Sequence, residues 1–124
     1  MTEAITAAVV DDISRKQQIA FKQNIATVKA ESMLPPKIIG RILGTTERQV
    51  LLWLGRQPSK ADKTMMIRAE SLVRRIRNLG IANPRDTYRT IVAPDQTGTS
   101  ILDTWIFEYN ATSIREKNPA RRTR

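Results

Sequence analysis

The chain has no cysteine and no histidine among its 124 residues. Without cysteine there are no disulfide bonds, thiolate metal sites or thiol catalysis, and without histidine there is no Ser-His-Asp triad. No apolar run approaches the roughly 20 residues that cross a bilayer. The N-terminal segment MTEAITAAVVDD is acidic, and its apolar run is too short for a signal peptide. We therefore expect a cytoplasmic protein without a membrane partner.

Carboxylates are present but scattered. Asp95, Asp103 and Glu108 are spread over a predicted turn and a predicted helix, and Asp11 with Asp12 is better interpreted as a helix cap. Because no dense carboxylate cluster exists, we expect no metal, no cofactor and no enzymatic activity.

The charge of the chain is strongly one-sided. Its formal net charge is +9 and its sequence pI about 10.7. Such an excess of lysine and arginine favours a polyanionic partner, above all nucleic acid, through phosphate neutralisation and counterion release. An acidic protein partner is the alternative. The length allows one domain with a modest core.

The most informative stretch is PKIIGRILGTTERQVLLWLG, residues 36–55, which predicts two short helices joined by a tight turn. Gly44 falls where the first helix must end, and a left-handed conformation costs glycine little. Gly40 is small where the two helices would cross closely. Thr45 and Thr46 are candidate caps of the second helix, and Glu47 lies in its first turn.

The apolar residues of this stretch complete the pattern. Val50 and Trp53 are three residues apart and share one helical face, directed toward Ile39 and Leu43. This spacing resembles the helix-turn-helix of Cro-like and Xre-like bacterial and phage repressors. The resemblance implies that the second helix, residues 46–54, reads the major groove of double-stranded DNA. The alternative is a pair of core helices with a glycine turn and no DNA.

Carried over position by position, the resemblance gives the candidate base contacts, which are Thr46, Glu47, Arg48, Gln49 and Leu52. Arg48 can bond guanine O6 and N7, Gln49 can bond adenine N6 and N7, and Leu52 can touch a thymine methyl group. The adjacent apolar pair Leu51 and Leu52 departs from the more polar recognition helices, and it equally suits a protein contact.

Cationic and hydroxyl residues at the ends of the motif are candidate phosphate contacts, which fix position without reading sequence. They are Lys37, Arg41, Thr45, Arg56 and Lys60. A solvated charged surface is the alternative for each of the cations.

Upstream of the motif, residues 5–30 contain no proline and no glycine and predict one long helix, or two with a break near residues 11–12 and Asp12 as the second cap. Its apolar stripe comprises Ile13, Ala20, Phe21, Ile25 and Val28. Residues 31–36 contain two prolines and predict a break.

Downstream, Ser59 is a candidate cap for a helix over residues 60–79. Its apolar face comprises Met65, Met66, Ala69, Leu72, Val73 and Ile76. Its cations, Lys63, Arg68, Arg74, Arg75 and Arg77, lie mostly elsewhere, and Arg74, Arg75 and Arg77 form a second basic patch on the polar side of the helix. This patch could extend the phosphate surface, bind an acidic partner, or simply be solvated.

The remaining segments contain local capping signals. Asn83 suits the cap of a helix over residues 84–91, although residues 90–92 would also suit a short strand, and residues 93–98 predict a turn. Ser100 begins a last helix to about residue 115, whose inner positions are Ile101, Leu102, Trp105, Ile106 and Tyr109. The basic tail, residues 118–124, is predicted to be a disordered arm with Arg121, Arg122 and Arg124.

A weaker resemblance extends over the C-terminal part. In antitoxins of the Xre/MbcA/ParS kind, a long helix and then a segment with proline and glycine follow the helix-turn-helix, and residues 61–79 and 91–103 are similar to these. The chain lacks the family's Trp-Leu pair and has only Gly98 in place of its Gly-Gly turn. This resemblance implies a toxin partner that contacts the C-terminal third.

Taken together, the sequence predicts an all-α fold of about five helices around a helix-turn-helix. We expect four parts: an N-terminal helical part (residues 1–30), the helix-turn-helix with the Arg-rich helix (35–80), a C-terminal loop and helix (81–117), and the tail (118–124). The predicted function is a sequence-specific DNA-binding transcriptional regulator, a small prokaryotic or phage repressor, in which a homodimer could form through the first and last helices. The alternatives are an antitoxin-type interaction module and a non-specific architectural DNA binder.

Overall fold

The computed structural model describes the backbone of residues 2–117 and the side chains of residues 14–111. Over this backbone the chain is helical, without a β-strand, which confirms the predicted all-α class with six helices rather than about five. In chain order they are α1 (Thr2–Ser32), α2 (Pro36–Leu43), α3 (Glu47–Leu54), α4 (Lys63–Asn78), α5 (Pro84–Val92) and α6 (Ile101–Lys117). The strand considered near residues 90–92 is therefore wrong.

The first helix is continuous. Its backbone stays helical through residues 11 and 12, which confirms the alternative of one long helix, and the alternative of a break there with a cap at Asp12 is wrong. Phe21, Ile25 and Val28 are buried, as the stripe predicts, whereas Ala20 is exposed. The side chain of Ile13 lies outside the described residues.

The core forms where α1 packs along α4 and across the end of α3, while α6 closes the far side of α2. Phe21 of α1 meets Trp53 of α3 edge to face, with ring centroids 4.8 Å apart. The largest fully buried apolar side chains of this core are Phe21, Ile25, Leu34, Ile39, Ile42, Leu43, Leu72 and Ile91. Both helices of the predicted motif thus contribute their inner faces to one core.

The connection between α3 and α4 differs from the prediction. Ser59 is buried and donates to the side-chain oxygen of Gln18 at 2.6 Å, so it does not cap α4. Asp62 is the cap, because its carboxylate accepts from the backbone N–H of Met65 at 2.8 Å. Gln18 also holds Ala61 through two hydrogen bonds, of 2.7 and 3.0 Å. The connection therefore lies flat on α1, and α4 begins later than predicted.

The two helix N-caps predicted in the C-terminal part of the chain, Asn83 and Ser100, are confirmed. The Asn83 side chain accepts from the backbone N–H groups of Arg85 and Asp86. Ser100 and Asp103 form a capping box, in which the Asp103 N–H donates to Ser100 Oγ at 3.0 Å and the Ser100 N–H donates to the Asp103 carboxylate at 3.1 Å.

The last helix packs on α2 and α5. Leu102, Trp105 and Tyr109 are buried there, and Ile101 and Ile106 are half-buried. The predicted tail, with Arg121, Arg122 and Arg124, lies outside the described residues. Within the described part of the chain, no helix is both long enough and apolar enough to span a membrane.

Candidate nucleic-acid interface

The turn between α2 and α3 has the predicted geometry. Gly44 adopts φ +81°, the left-handed region, and the N–H groups of Gly44 and Thr45 both donate to the carbonyl of Gly40 at 2.8 Å. A Cβ atom on Gly40 would lie 2.9 Å from the Thr45 carbonyl oxygen, closer than real Cβ contacts allow. Gly40 is therefore required by the close approach of α2 to the start of α3, and Gly44 by the left-handed backbone of the turn.

The second helix of the motif is capped and anchored as the sequence predicts. Thr46 Oγ1 accepts from the Gln49 N–H at 3.1 Å, so Thr46 is the cap and the helix proper begins at Glu47. Val50 and Trp53 are buried in the same cluster as Ile39. Trp53 Nε1 has no hydrogen-bond partner, and it is the one such sealed side-chain atom among the described residues.

The outward face of α3 centres on Arg48. Successive residues are rotated by about 100° around a helix, which places Arg48 between Leu51 and Leu52 on the side opposite Val50. Arg48 is exposed, and each leucine is 52% exposed. This face combines one cation with two apolar side chains that are each about half exposed.

The predicted base contacts do not share one environment. Thr46, Glu47, Arg48 and Leu52 are exposed, whereas Gln49 is half-buried. Gln49 and Leu52 border a shallow cavity of about 170 Å³ whose other walls are Trp53, Lys60 and residues 57–59. Arg48 is therefore accessible to a ligand, whereas Gln49 would have to turn outward to reach a base edge.

The predicted phosphate contacts are mostly accessible. Lys37, Arg41, Arg56 and Lys60 are exposed, and none of them forms an ion pair with a residue of the described part. Thr45 is half-buried, and its N–H is already bonded within the turn, so only its hydroxyl remains available.

One acidic group lies near this set of cations. Hydrogen bonds from the Ser100 backbone N–H, and then from the Ser100 side chain, lower the pKa of Asp103, and the charge of Arg41 adds to this effect. Asp103 is thus ionised at neutral pH and offsets part of the positive potential at Arg41.

Sequence reasoning missed the residue that closes the end of α3. The Nζ of Lys22, on α1, donates to the carbonyl of Gly55 at 2.6 Å and also to the carbonyl of Gln57. A cation at a helix C-terminus satisfies free carbonyls and complements the helix dipole. Lys22 lies more than 30 residues away in the chain, so no local signal identified it.

Each arginine of the second basic patch on α4 forms an ion pair, which lowers the net charge of the patch. Arg74 pairs with Glu70 at 3.1 Å, Arg75 with Glu108 at 3.2 Å, and Arg77 with Glu31 at 2.9 Å. The hydrogen bond from Arg77 is the main cause that lowers the pKa of Glu31.

Arg68, which we expected away from the apolar face of α4, is buried, with 8% exposure. Its Nη1 donates to the Leu43 carbonyl at the end of α2, at 2.9 Å. Lys63 of α4 is exposed and has no ion-pair partner among the described residues.

Comparison of the chain with protein-family models, with curated proteins and with solved structures found no match.

Proposed function

We propose that the protein binds double-stranded DNA sequence-specifically through α3 and acts as a transcriptional regulator. The observation that carries the proposal is the outward face of α3, with Arg48 at its centre and unpaired cations at the ends of the motif. An eight-residue helix whose inner face is fixed in a core is suited to enter the major groove.

The proposed mechanism divides the work between two sets of side chains. Arg48 supplies base selection through a bidentate contact to guanine, and Leu52 supplies contact with a thymine methyl group. Lys37, Arg41 and Lys60 supply salt-dependent affinity for phosphates.

Occupation of an operator would exclude polymerase, which is the action of a small prokaryotic or phage repressor in the cytoplasm. One short helix reads only a few base pairs, so we further propose that a homodimer binds two half-sites.

The first experiment measures which fragments of the source genome the purified chain retains near physiological salt. We expect one sequence motif to be enriched, and Arg48→Ala to weaken binding to that motif by about 1–3 kcal/mol while relaxing the preference at one base pair. Arg74→Ala is the matched control, because it removes the same charge from an exposed helix outside the proposed interface.

Three results would contradict this proposal. Retention that falls with salt but shows no motif would indicate an architectural DNA binder. Equal losses for Arg48→Ala and Arg74→Ala would remove Arg48 from base reading. No retention at all would indicate that the basic surface has a protein partner.

A second candidate function is an interaction module, such as an antitoxin. The exposure of the adjacent Leu51 and Leu52 favours it, since paired exposed leucines suit a protein contact as well as a thymine methyl. Co-purification with an acidic protein in high salt, lost in the Leu51→Ser/Leu52→Ser variant, would favour this function over DNA binding.

A further inference from the structure

Arg68 is a buried cation without a counter-charge. Its side chain is held at the junction of α2, α4 and α6, where the residue is 8% exposed, and no carboxylate of the described residues pairs with it. Removing an arginine from water is costly unless its charge and its five N–H donors are compensated. The Leu43 carbonyl accepts from Nη1, and the partial negative charge of the α2 C-terminus compensates only part of the full charge.

The N–H donors of Arg68 that have no protein acceptor are accessible to solvent. Neither Nε nor Nη2 donates to a described residue. Both atoms must nevertheless reach solvent, because Trp53 Nε1 is the one sealed and unpartnered side-chain atom among the described residues. Arg68 is one of the residues that line a cavity of about 330 Å³ between α4 and α6, and this cavity is open to solvent.

The cavity has the lining of a small polar site. Arg75 and Glu108 form its charged rim, held together by two hydrogen bonds, and the two arginines with one glutamate leave one net positive charge. Tyr109 donates to Ser71 Oγ at 2.9 Å, and its ring lies 4.9 Å below the Arg75 guanidinium. The volume falls in the lower range of small-molecule pockets, about 300–1,000 Å³.

We propose that this cavity binds a small molecule through an oxyanion group, which accepts from the free N–H donors of Arg68 and from the Nε–H of Arg75, since the pair with Glu108 uses only Nη1 and Nη2 of Arg75. Guanidinium groups match carboxylate and phosphate oxygens in paired hydrogen bonds, so either oxyanion fits the chemistry. No lining residue belongs to α3, so the site is distinct from the proposed DNA interface and does not depend on it.

A ligand in this site would bind a residue that also contacts the helix-turn-helix. The guanidinium that would hold the oxyanion also holds the Leu43 carbonyl, and its Nη1 lies 3.2 Å from where a Cβ atom of Gly44 would be. The turn between α2 and α3 therefore shares Arg68 with the ligand, which makes the ligand a candidate effector of the motif.

The test is a nuclear magnetic resonance titration of the whole chain with inorganic phosphate and, separately, with acetate, against sodium chloride at equal ionic strength. We expect saturable shifts of the Arg68 and Arg75 side-chain Nε–H signals and of the Gly44 amide, in at least one of the two titrations. Arg77, whose guanidinium pairs with Glu31 on the surface, is the internal control and should respond only as it does to chloride.

Two variants complete the test without touching the buried arginine. Arg75→Gln should weaken the saturable response of Arg68 by about tenfold, the loss expected for a charge-assisted hydrogen bond. Arg74→Gln, one position away on the exposed face, should leave it unchanged. The proposal is overturned if no titration saturates, if Arg77 responds as Arg68 does, or if Arg75→Gln has no effect; Arg68 would then be only a cap of α2.

Discussion

The cations of the helix-turn-helix and the arginines of α4 have the same charge but different surroundings. Lys37, Arg41 and Arg48 are exposed and form no ion pair with a described residue, although the charge of Asp103 acts on Arg41. Arg74 and Arg77, by contrast, each form an ion pair. The difference shows that net charge alone does not locate an interface. An unpaired cation can contact a DNA phosphate directly, whereas a paired cation must first break its ion pair with the carboxylate.

The largest expected change in stability comes from the inner face of α3, the face opposite Arg48. Trp53→Ala should lower the free energy of unfolding by about 3–5 kcal/mol, because Trp53 is buried against Phe21 and its removal leaves a cavity. Urea denaturation followed by circular dichroism measures the change.

Leu51→Ala is the matched control for Trp53→Ala, since Leu51 lies on the same helix and is half exposed. We expect it to change stability by no more than about 0.5 kcal/mol. If the two variants were equally stable, the inward and outward faces assigned to α3 would be wrong, and with them the exposed position of Arg48.

The next effect concerns the turn that places α3 on α2. Gly44→Ala forces alanine to φ +81°, which costs about 1–2 kcal/mol, and its Cβ would also lie 3.1 Å from Asn110 Oδ1. Gly98→Ala is the control, because Gly98 has φ +85° with nothing within 4 Å of the added Cβ.

We expect thermal or urea unfolding to show a larger loss for Gly44→Ala than for Gly98→Ala. The excess measures the crowding at the turn separately from backbone strain. A Gly44→Ala variant no less stable than Gly98→Ala would mean that Asn110 and Arg68 yield without cost.

The local features of this motif could be predicted from sequence because their causes are local. Gly44, the caps at Thr46 and Asn83, and the apolar spacing of Val50 and Trp53 each act within a few residues. The same holds for the Ser100–Asp103 box, which spans one helical turn.

The features that were missed depend on contacts between distant parts of the chain. Arg68 reaches a carbonyl 25 residues earlier, and Arg77 pairs with Glu31 across 46 residues. Ser59 looked like a cap but is bonded to Gln18, 41 residues away. Only Glu70 and Arg74, spaced i,i+4, form a pair that a sequence pattern indicates. Which cations are neutralised could therefore not be predicted.

A smaller effect, on the salt dependence of DNA binding, distinguishes the cations of the helix-turn-helix from the arginines of α4. Lys37→Gln should reduce the slope of log binding constant against log salt by about one, if Lys37 contacts a phosphate. Arg77→Gln should leave the slope unchanged, because Arg77 is paired with Glu31 and lies outside the motif. Binding isotherms of the chain with its preferred DNA at several salt concentrations measure both slopes, and equal reductions would erase the distinction between the two regions.

The smallest effect is the acid dependence of the Glu31–Arg77 pair itself. The pKa of Glu31 is lowered in the folded chain, chiefly by its hydrogen bond from Arg77. The pair therefore contributes stability above the pKa that Glu31 has in the unfolded chain, and this contribution is lost as pH falls through the folded pKa. Both side chains are more than one third exposed, so the contribution is small and screened by salt.

Glu31→Gln isolates this contribution from those of Asp95 and Asp103, whose lowered pKa values place their own titrations in the same acidic range. The difference in unfolding free energy between wild type and Glu31→Gln should favour wild type at neutral pH and shrink on acidification. Because removal of Glu31 also frees Arg77, the variant tests the comparison directly. If DNA binding by this variant has a steeper salt dependence, the ion pair with Glu31 was what kept Arg77 from contacting phosphate. An unchanged slope means that Arg77 lies too far from the DNA to contact it, paired or not.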